Sequence, residues 1–333
     1  MKAAILSGYS KNGCDLEIRD IPIPEAADHE VLVKIRTAGV NPLDNMIVHG
    51  EVKLIVPYSF PLVMGNEFVG IIEKTGSAVK SFSEGDRVYG RMPLKKIGAF
   101  AEYAAIDQRA IAKVPEYLSD EEAACVPLTA LTALQAFELM QLKEGETVFI
   151  SGGTGSLGAM AIPVAKSFGL TVITNGNGAS EERVKKLGAD CFIDYRKEDY
   201  SEVLSDVDYV LDTLGERELP KEFAVLKQGG SLVSLRGLPN GEFAARSGMS
   251  FIKRMMFKMA GSKYDKMAAA KGQKYFFIFV HEDGAGLDRI TEIFRDTHLE
   301  ASVDEVFSLD DVNMAMKKVA SGGSKGKTIL KIS

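Results

Sequence analysis

An α/β protein is predicted, with a doubly wound parallel sheet joined to a β-rich domain. Three features of the 333-residue chain predict it. Its opening third is a series of short strands of period two. Beyond residue 120 strands and helices alternate. Between one such strand and helix lies a glycine-rich turn, "SGGTGSLG", at 151–158.

The elements follow in order. "EVLVKIRTAGV" puts Val31, Val33 and Ile35 on one face and Lys34 and Arg36 on the other, the pattern of a half-buried strand. "FVGIIEKTG", "DRVYGRM" and "AFAEYAAI" continue the strands, separated by turns such as "SEGDR". Short strands so spaced predict a barrel or partly open barrel. "LSDEEAACVPLTALTALQAFELM" is helical, with Ser119 as N-cap and Glu122 completing a capping box. Strands "ETVFISGG", "LTVITN", "CFIDY", "VDYVLDTLG" and "GSLVSL" then interleave with helices "LGAMAIPVAKSFG", "SEERVKKLGA" and "ELPKEFAVLKQGG". Repeated β-α-β units make a parallel sheet with helices on its faces. Pro163 should bend the first of these helices. "YFFIFV", 275–280, reads as a further strand, and the tail as helix, helix, strand, ending in "KTILKI". Residues 1–122 are expected to form a β-rich domain and 123–280 an α/β domain, with 281–333 returning to the first.

Composition is that of a soluble globular protein, 46% apolar and 26% charged. No apolar run approaches the roughly 18 residues of a membrane span. "MKAAILSGYSKNG" is too weakly apolar for a signal peptide and reads as a first strand. A net charge of −6 argues against nucleic acid as a partner. Cys14, Cys125 and Cys191 give neither a disulfide framework nor a CxxC pair, which points to a reducing, cytoplasmic location.

The glycine turn carries the first chemistry. Gly153, Gly155 and Gly158 satisfy GxGxxG, with Gly152 preceding them, in the strand-to-helix setting of a dinucleotide fingerprint. Glycine permits the tight turn and the close approach of backbone to pyrophosphate, and the N–H groups at the helix start face the phosphates. The next strand ends in Thr174, Asn175, Gly176 and Asn177 without an acid. A carboxylate there would repel a 2′-phosphate, so NADP(H) is favoured over NAD(H). Arg183 is a candidate for that phosphate; alternatively it is a solvated charge beside Glu181 and Glu182.

Taken together, "AGVNPLD", "GNEFVGIIEKTGSAV", "EGDRVYG", "ACVPLTALTALQAF", the glycine turn, "LGAD", "IDY" and "KGKTIL" resemble the medium-chain dehydrogenase/reductase superfamily. Within it the chain is similar to the zinc-independent quinone oxidoreductase and enone or alkenal reductase branch. The resemblance implies a Rossmann doubly wound sheet plus a GroES-like β-rich catalytic domain. It implies that catalytic Asn41 lies near the nicotinamide and donates to the substrate oxygen, and that Thr129 touches the nicotinamide ribose or amide. It implies Thr154, Gly155, Ser156 and Leu157 around the pyrophosphate, and Thr174, Asn175 and Arg183 around the 2′-phosphate. Tyr195 falls near the adenine, and Gly215, Arg236 and Gly237 follow the strand ends. Phe279 and Val280 flank the nicotinamide, and Lys325 lies near the cofactor. A homodimer through the edge of the dinucleotide sheet is implied as well.

A catalytic zinc in this superfamily takes an early ligand and the histidine of Gly-His-Glu. Here those positions are Asn41 and Asn66, and asparagine amides are poor zinc donors. His29, His49, His281 and His298 show no ligand spacing, and Glu67 alone is no metal site. The expectation is a metal-free enzyme. Without a Lewis acid, hydride goes to an already electrophilic carbon, in an enone, alkenal or quinone. Met46 and Val48 replace the tyrosine and arginine common in quinone reductases, so protonation comes from water. Two other functions stay open: an NADPH-binding sensor or scaffold with little catalysis, and a zinc-independent alcohol dehydrogenase.

Residues 246–274 hold eight Lys or Arg, one acid and five Met, with Phe251, Met255 and Met259 on one helical face. Lid, dimer contact, membrane or nucleic-acid surface, and packed helix with a solvated basic face all remain open.

Overall fold

The computed structural model describes all 333 residues except Asn12, Cys14, Glu300 and Ser324; of the three cysteines, Cys14 therefore lies outside the described residues. The chain divides into unit 1, Met1–Leu131 with His281–Ser333, and unit 2, Thr132–Val280. The division after Leu131 falls within a helix, and the chain rejoins unit 1 at His281.

Unit 1 opens with strands β1 (Lys2–Leu6), β2 (Glu17–Asp20), β3 (Glu30–Val40), β4 (Leu62–Val63), β5 (Glu67–Thr75), β6 (Arg87–Arg91), β7 (Tyr103–Asp107) and β8 (Ile111–Lys113), with helix α1 (Pro42–Val48) after β3. The predicted helix from Ser119 is two helices, α2 (Asp120–Ala123) and α3 (Pro127–Met140). Proline starts the second because N1 is the helical position that tolerates a missing N–H. Ser119 and Glu122 form the expected capping box.

Unit 2 contains β9 (Thr147–Ile150), α4 (Ser156–Ser167), β10 (Thr171–Gly176), α5 (Glu181–Lys186), β11 (Cys191–Asp194), α6 (Tyr200–Val203), β12 (Val207–Asp212), α7 (Leu219–Val225) and β13 (Leu226–Ser234). It ends with α8 (Gly241–Arg246), α9 (Phe251–Ala260), α10 (Ser262–Ala269) and β14 (Lys274–Phe277). The last strand is shorter than the predicted 275–280, stopping before Ile278. Unit 1 resumes with α11 (Gly284–Thr297), β15 (Val303–Ser308), α12 (Val312–Ser321) and β16 (Lys327–Lys331).

The six strands of unit 2 lie in the order β11-β10-β9-β12-β13-β14, all parallel. The order reverses between β9 and β12, and in such sheets ligands bind beyond the strand ends at that switch point. A core of Phe149, Val210, Leu219, Phe223, Leu232 and Tyr275 holds sheet and helices together. Each fully buried side chain of this kind contributes about 1.5–3 kcal/mol.

In unit 1 a seven-stranded sheet runs β15-β16-β3-β5-β6-β8, with β7 also on β3, and a three-stranded sheet runs β2-β1-β4. Val31, Val33 and Ile35 are buried, and Lys34 and Arg36 exposed, as the alternation requires. Asp120–Met140 is long and apolar enough to cross a membrane, but 83% of that window is buried inside the fold, so packing accounts for its apolar character.

The basic, Met-rich segment forms α9 and α10. Phe257 anchors α9 edge-to-face on Phe243, whereas Phe251 and Met259 are 77% and 68% exposed. The apolar stripe thus points away from the body of unit 2, not into it as in a simply packed helix.

Candidate active site

In unit 2 the chain leaves β9 at Ile150 and enters α4 at Ser156. Each glycine of the intervening turn answers a different steric demand. Gly152 has φ +72°, a conformation glycine adopts without the penalty of a Cβ. A Cβ on Gly153 would lie 1.9 Å from Thr174 Oγ1, so the loop lies flat on β10. A Cβ on Gly158 would lie 2.4 Å from Gly153 Cα, so the first turn of α4 packs directly on the loop. At Gly155 a Cβ would meet nothing nearer than Gly152 O at 3.4 Å. The protein itself places no steric demand for glycine there.

The loop is held from β10. Asn175 Oδ1 accepts the Gly152 N–H at 2.8 Å, and its backbone oxygen accepts the Gly153 N–H at 3.1 Å. Thr174, fully buried, donates its hydroxyl to Ile150 O at 2.7 Å. From α5, Arg183 Nη2 donates to Thr154 O at 2.6 Å. Its neighbours Glu181 and Glu182 pair instead with Lys185 and Lys186, at 2.7 and 3.1 Å. The half-buried guanidinium therefore rests on the loop with no carboxylate against it among the described residues, and burial weakens its hold on the proton.

Past the switch point, buried Asp212 organises two further turns. Its Oδ1 accepts the N–H groups of Leu214 and Gly215 at 2.8 and 2.7 Å. Its Oδ2 accepts the Ser234 hydroxyl, and Ser234 Oγ accepts the Arg236 and Gly237 N–H groups at 3.2 and 2.7 Å. Burial raises the proton affinity of Asp212, and that of Glu222 well above the carboxylate range, with the Asp212 charge adding to the effect on Glu222.

Unit 1 gathers a second constellation at one end of its large sheet. β3 ends at Val40, just before Asn41; β5 starts with Glu67, β6 ends with Arg91, and β16 starts with Lys327. Glu67 and Arg91 are direct cross-strand partners. Asn41 Nδ2 donates to Glu67 Oε1 at 2.8 Å and to Gly39 O at 3.3 Å. Lys327 Nζ lies 2.5 Å from both Asn41 Oδ1 and Glu67 Oε1. An ammonium has only donors, so it fixes which end of the amide faces it. Glu67 Oε2 accepts the Leu128 N–H at 2.7 Å. Gly39 makes room for this: a Cβ there would come 2.3 Å from Glu67 Oε1.

Asp44, on α1, accepts the Asn41 N–H at 2.8 Å and Asn66 Nδ2 at 2.7 Å. Complete burial raises its carboxyl to about 7, against the two hydrogen bonds. Arg91 is 0% exposed; its Nη1 donates to Met92 O, while Nε and Nη2 have no partner among the described residues. Asn66 Oδ1 and the Tyr58 hydroxyl are likewise buried without a partner among the described residues.

Comparison with known proteins identifies this architecture. Residues 27–116 match the alcohol dehydrogenase GroES-like domain, and residues 187–330 match the zinc-binding dehydrogenase family. The chain is 33% identical to 2-methylene-furan-3-one reductase of Solanum lycopersicum, over 76% of its own length and 67% of the relative's. The chain belongs to the medium-chain dehydrogenase/reductase superfamily. It is also 31% identical to an NADPH-dependent alkenal/one oxidoreductase of Arabidopsis thaliana, over 82% of the chain and 72% of the relative. Among solved structures, a quinone oxidoreductase from Coxiella burnetii superposes with TM-score 0.82 at 26% identity, covering 100% of this chain and 99% of that one.

The expected site residues lie on several elements of both units. Gly152, Gly153, Thr154, Gly155, Ser156, Leu157 and Gly158 form the turn and the first residues of α4, with Arg183 on Thr154. Gly215, Arg236 and Gly237 stand on the turns that Asp212 and Ser234 hold, and Phe279 and Val280 follow β14. Tyr195 is exposed just past β11, its N–H on Gly176 O. Thr129 donates its hydroxyl to Cys125 O at 2.7 Å, just ahead of its own helix. Thr174 bonds to Ile150 O at the end of β9 and Asn175 to the loop, so both also shape the turn. Asn41 directs its amide nitrogen to Glu67 and Gly39. Lys325 is exposed, its N–H on Asp304; the lysine beside Asn41 is Lys327, two residues on. Sequence reasoning missed Lys327, Arg91 and Tyr58. The period-two register of β16 was the available signal for Lys327, since it places that side chain with buried Ile329.

Among the described residues no group of three or more His, Cys, Asp or Glu is arranged to hold a metal ion. At the positions of zinc ligands, Asn41 and Asn66 spend their amide hydrogens on Glu67 and Asp44, and an ammonium already sits on Asn41 Oδ1 and Glu67 Oε1. That donor set does not suit zinc, which takes thiolate, imidazole or carboxylate.

Proposed function

We propose that this protein is an NADPH-dependent oxidoreductase that reduces a carbon–carbon double bond conjugated to a carbonyl, or a quinone, without a bound metal. The observation that carries this reading is the Lys327–Asn41–Glu67 triad, a tethered cation among residues that stand where zinc ligands would. The names of the relatives support the same class: one is a furanone reductase and another an alkenal/one oxidoreductase.

When bound, NADPH supplies a hydride equivalent. The N–H groups at Thr154, Ser156 and Leu157 would hold the pyrophosphate, while that of Gly155 already goes to Gly152 O at 3.0 Å, and Arg183 would pair with the 2′-phosphate through the donors that Thr154 leaves free. In unit 1, Glu67 and Asn41 take two of the three Lys327 ammonium hydrogens; the third is free to meet a substrate oxygen. A fixed positive charge in a buried setting stabilises the negative charge that develops there as hydride reaches the β-carbon. The α-carbon then takes its proton from solvent. We further propose that two copies associate through the β14 edge of the sheet, which sizing of the purified protein tests.

The test is NADPH oxidation, followed by absorbance, across enones, alkenals, quinones and aldehydes, with elemental analysis of the same preparation. Turnover of enones or quinones at substoichiometric zinc supports the proposal. Tight NADPH binding without turnover of any acceptor leaves a sensor or scaffold role, and zinc-dependent turnover overturns the metal-free mechanism.

A further inference from the structure

Arg91 belongs to the unit 1 constellation but not to the triad. It is wholly buried, at the end of β6, opposite Glu67 across the strand pair. Its guanidinium has two edges. Nη1 is turned back to Met92 O and lies 3.9 Å from Glu282 Oε2. Nε and Nη2, which form the other edge, have no partner among the described residues. Those two N–H groups are parallel and spaced to match the two oxygens of a carboxylate.

The surrounding charges leave that edge free. Glu282 is half-exposed, and its Oε2 also accepts the Leu94 N–H at 3.0 Å, so it faces the Nη1 side. Glu67 is matched by Lys327. Both Asp44 oxygens accept N–H groups from Asn41 and Asn66. Tyr58 adds a further donor: its buried hydroxyl has no partner among the described residues. A buried guanidinium edge without an acceptor costs stability, and proteins accept that cost where a ligand supplies the acceptor.

We infer that Arg91, with Tyr58 beside it, binds a carboxylate on the substrate, so that the preferred acceptors are unsaturated carbonyl compounds bearing an acid group, such as 4-oxo-2-enoic acids. Lys327 then serves the carbonyl oxygen and Arg91 the carboxylate, which fixes the orientation of a short substrate at both ends. This rests on the proposed enone reduction for its chemistry, but not for the binding itself.

The experiment compares 4-oxopent-2-enoate with its methyl ester, which differs only in the charged group. Expected is a kcat/KM for the acid about ten- to a hundredfold above that of the ester, carried by KM, as a charge-assisted bidentate pair allows. In Arg91→Met, and in Arg91→Lys should the first fold poorly, the acid-to-ester ratio falls towards one; Tyr58→Phe lowers it several-fold. Calorimetric titration of the unmutated protein with the acid, without NADPH, reads binding apart from turnover. Equal kcat/KM for acid and ester overturns the carboxylate site while leaving the reductase reading intact. Binding of the acid that Arg91→Met abolishes, with no oxidation of NADPH by either compound, upholds the site and sinks the reductase reading instead.

Discussion

Substituting Lys327 by methionine isolates the triad. Met approximates the length of the lysine stem and removes only the ammonium. Glu67 then keeps the Leu128 N–H at 2.7 Å and the Asn41 amide at 2.8 Å but loses the cation at 2.5 Å. Glu67 is 0% exposed, so water cannot replace that cation, and breaking a buried ion pair from one side costs about 3–5 kcal/mol. Against a total stability of roughly 5–15 kcal/mol this is a large fraction. For a unit of this size it corresponds to a fall in Tm of about 6–20 °C. The assay is thermal or urea unfolding of Lys327→Met, Glu67→Gln and the double variant. In the double variant the new carboxamide at position 67 can accept the Leu128 N–H through its carbonyl and donate to Asn41 Oδ1 through its nitrogen, so no charge is left buried. Expected is that the double variant is more stable than Lys327→Met alone, the sign of a coupled pair. Additive losses, or a Lys327→Met cost below about 1 kcal/mol, would refute the pairing.

Three other outcomes follow from the geometry. Gly158→Ala forces a Cβ to 2.4 Å from Gly153 Cα, backbone that cannot move aside, and should destabilise by about 1–3 kcal/mol; Gly155→Ala, open on the protein side, should unfold like the parent yet lose NADPH affinity, and unchanged binding would show that no phosphate group approaches there. Arg183→Ala should weaken NADPH about ten- to a hundredfold and NADH little; equal losses for the two cofactors would place the 2′-phosphate elsewhere. Asp44 is raised from 3.8 to about 7 by burial, so between those values the folded state holds a proton that the unfolded state has released. Its contribution to stability falls as pH rises through that window, by roughly 4 kcal/mol in all. The difference between parent and Asp44→Asn in urea midpoint should therefore change with pH between about 4 and 7 and level off above; a constant difference across that window would be the failing result.

The fold was legible because its signals are local. Alternation in β3, the β-α-β sequence of unit 2 and the capping box at Ser119 each need only a few neighbouring residues to be read. Boundaries failed where a tertiary partner decides them: β14 stops at Phe277 although "YFFIFV" is apolar throughout, and Pro127 splits a pattern that reads as one helix. α1 and β15 carry weak periodicity and give no clear signal in the sequence. α9 shows the limit of periodicity itself, since the stripe through Phe251, Met255 and Met259 exists but its direction, outward, depends on Phe257 docking onto Phe243.

The glycine turn and the polar cluster differ in the same way. GxGxxG is contiguous, and the sequence alone assigns its glycines to a tight turn, ligand approach and helix packing. The triad is assembled from Asn41, Glu67 and Lys327, each from a different strand end, so no window of sequence contains it. What the sequence does show is a substitution, Asn66 where a histidine would bind zinc, and on that evidence alone a positive charge is lost. On the proposed reading, an ammonium takes the metal's place within the same constellation. The carboxylate of Glu67 persists, and the positive charge beside it is supplied by a side chain on β16. A tethered ammonium differs from a zinc ion in having no open coordination position, so it cannot lower the pKa of an alcohol or water by direct bonding. It can hold an oxygen that gains charge in the course of reaction. That asymmetry favours reduction of an electrophilic carbon over oxidation of an alcohol. It makes one further demand: if Lys327 serves a developing oxyanion, Lys327→Arg should retain the triad's charge yet lose kcat more than KM, because the broader guanidinium restores the charge but not the point of contact.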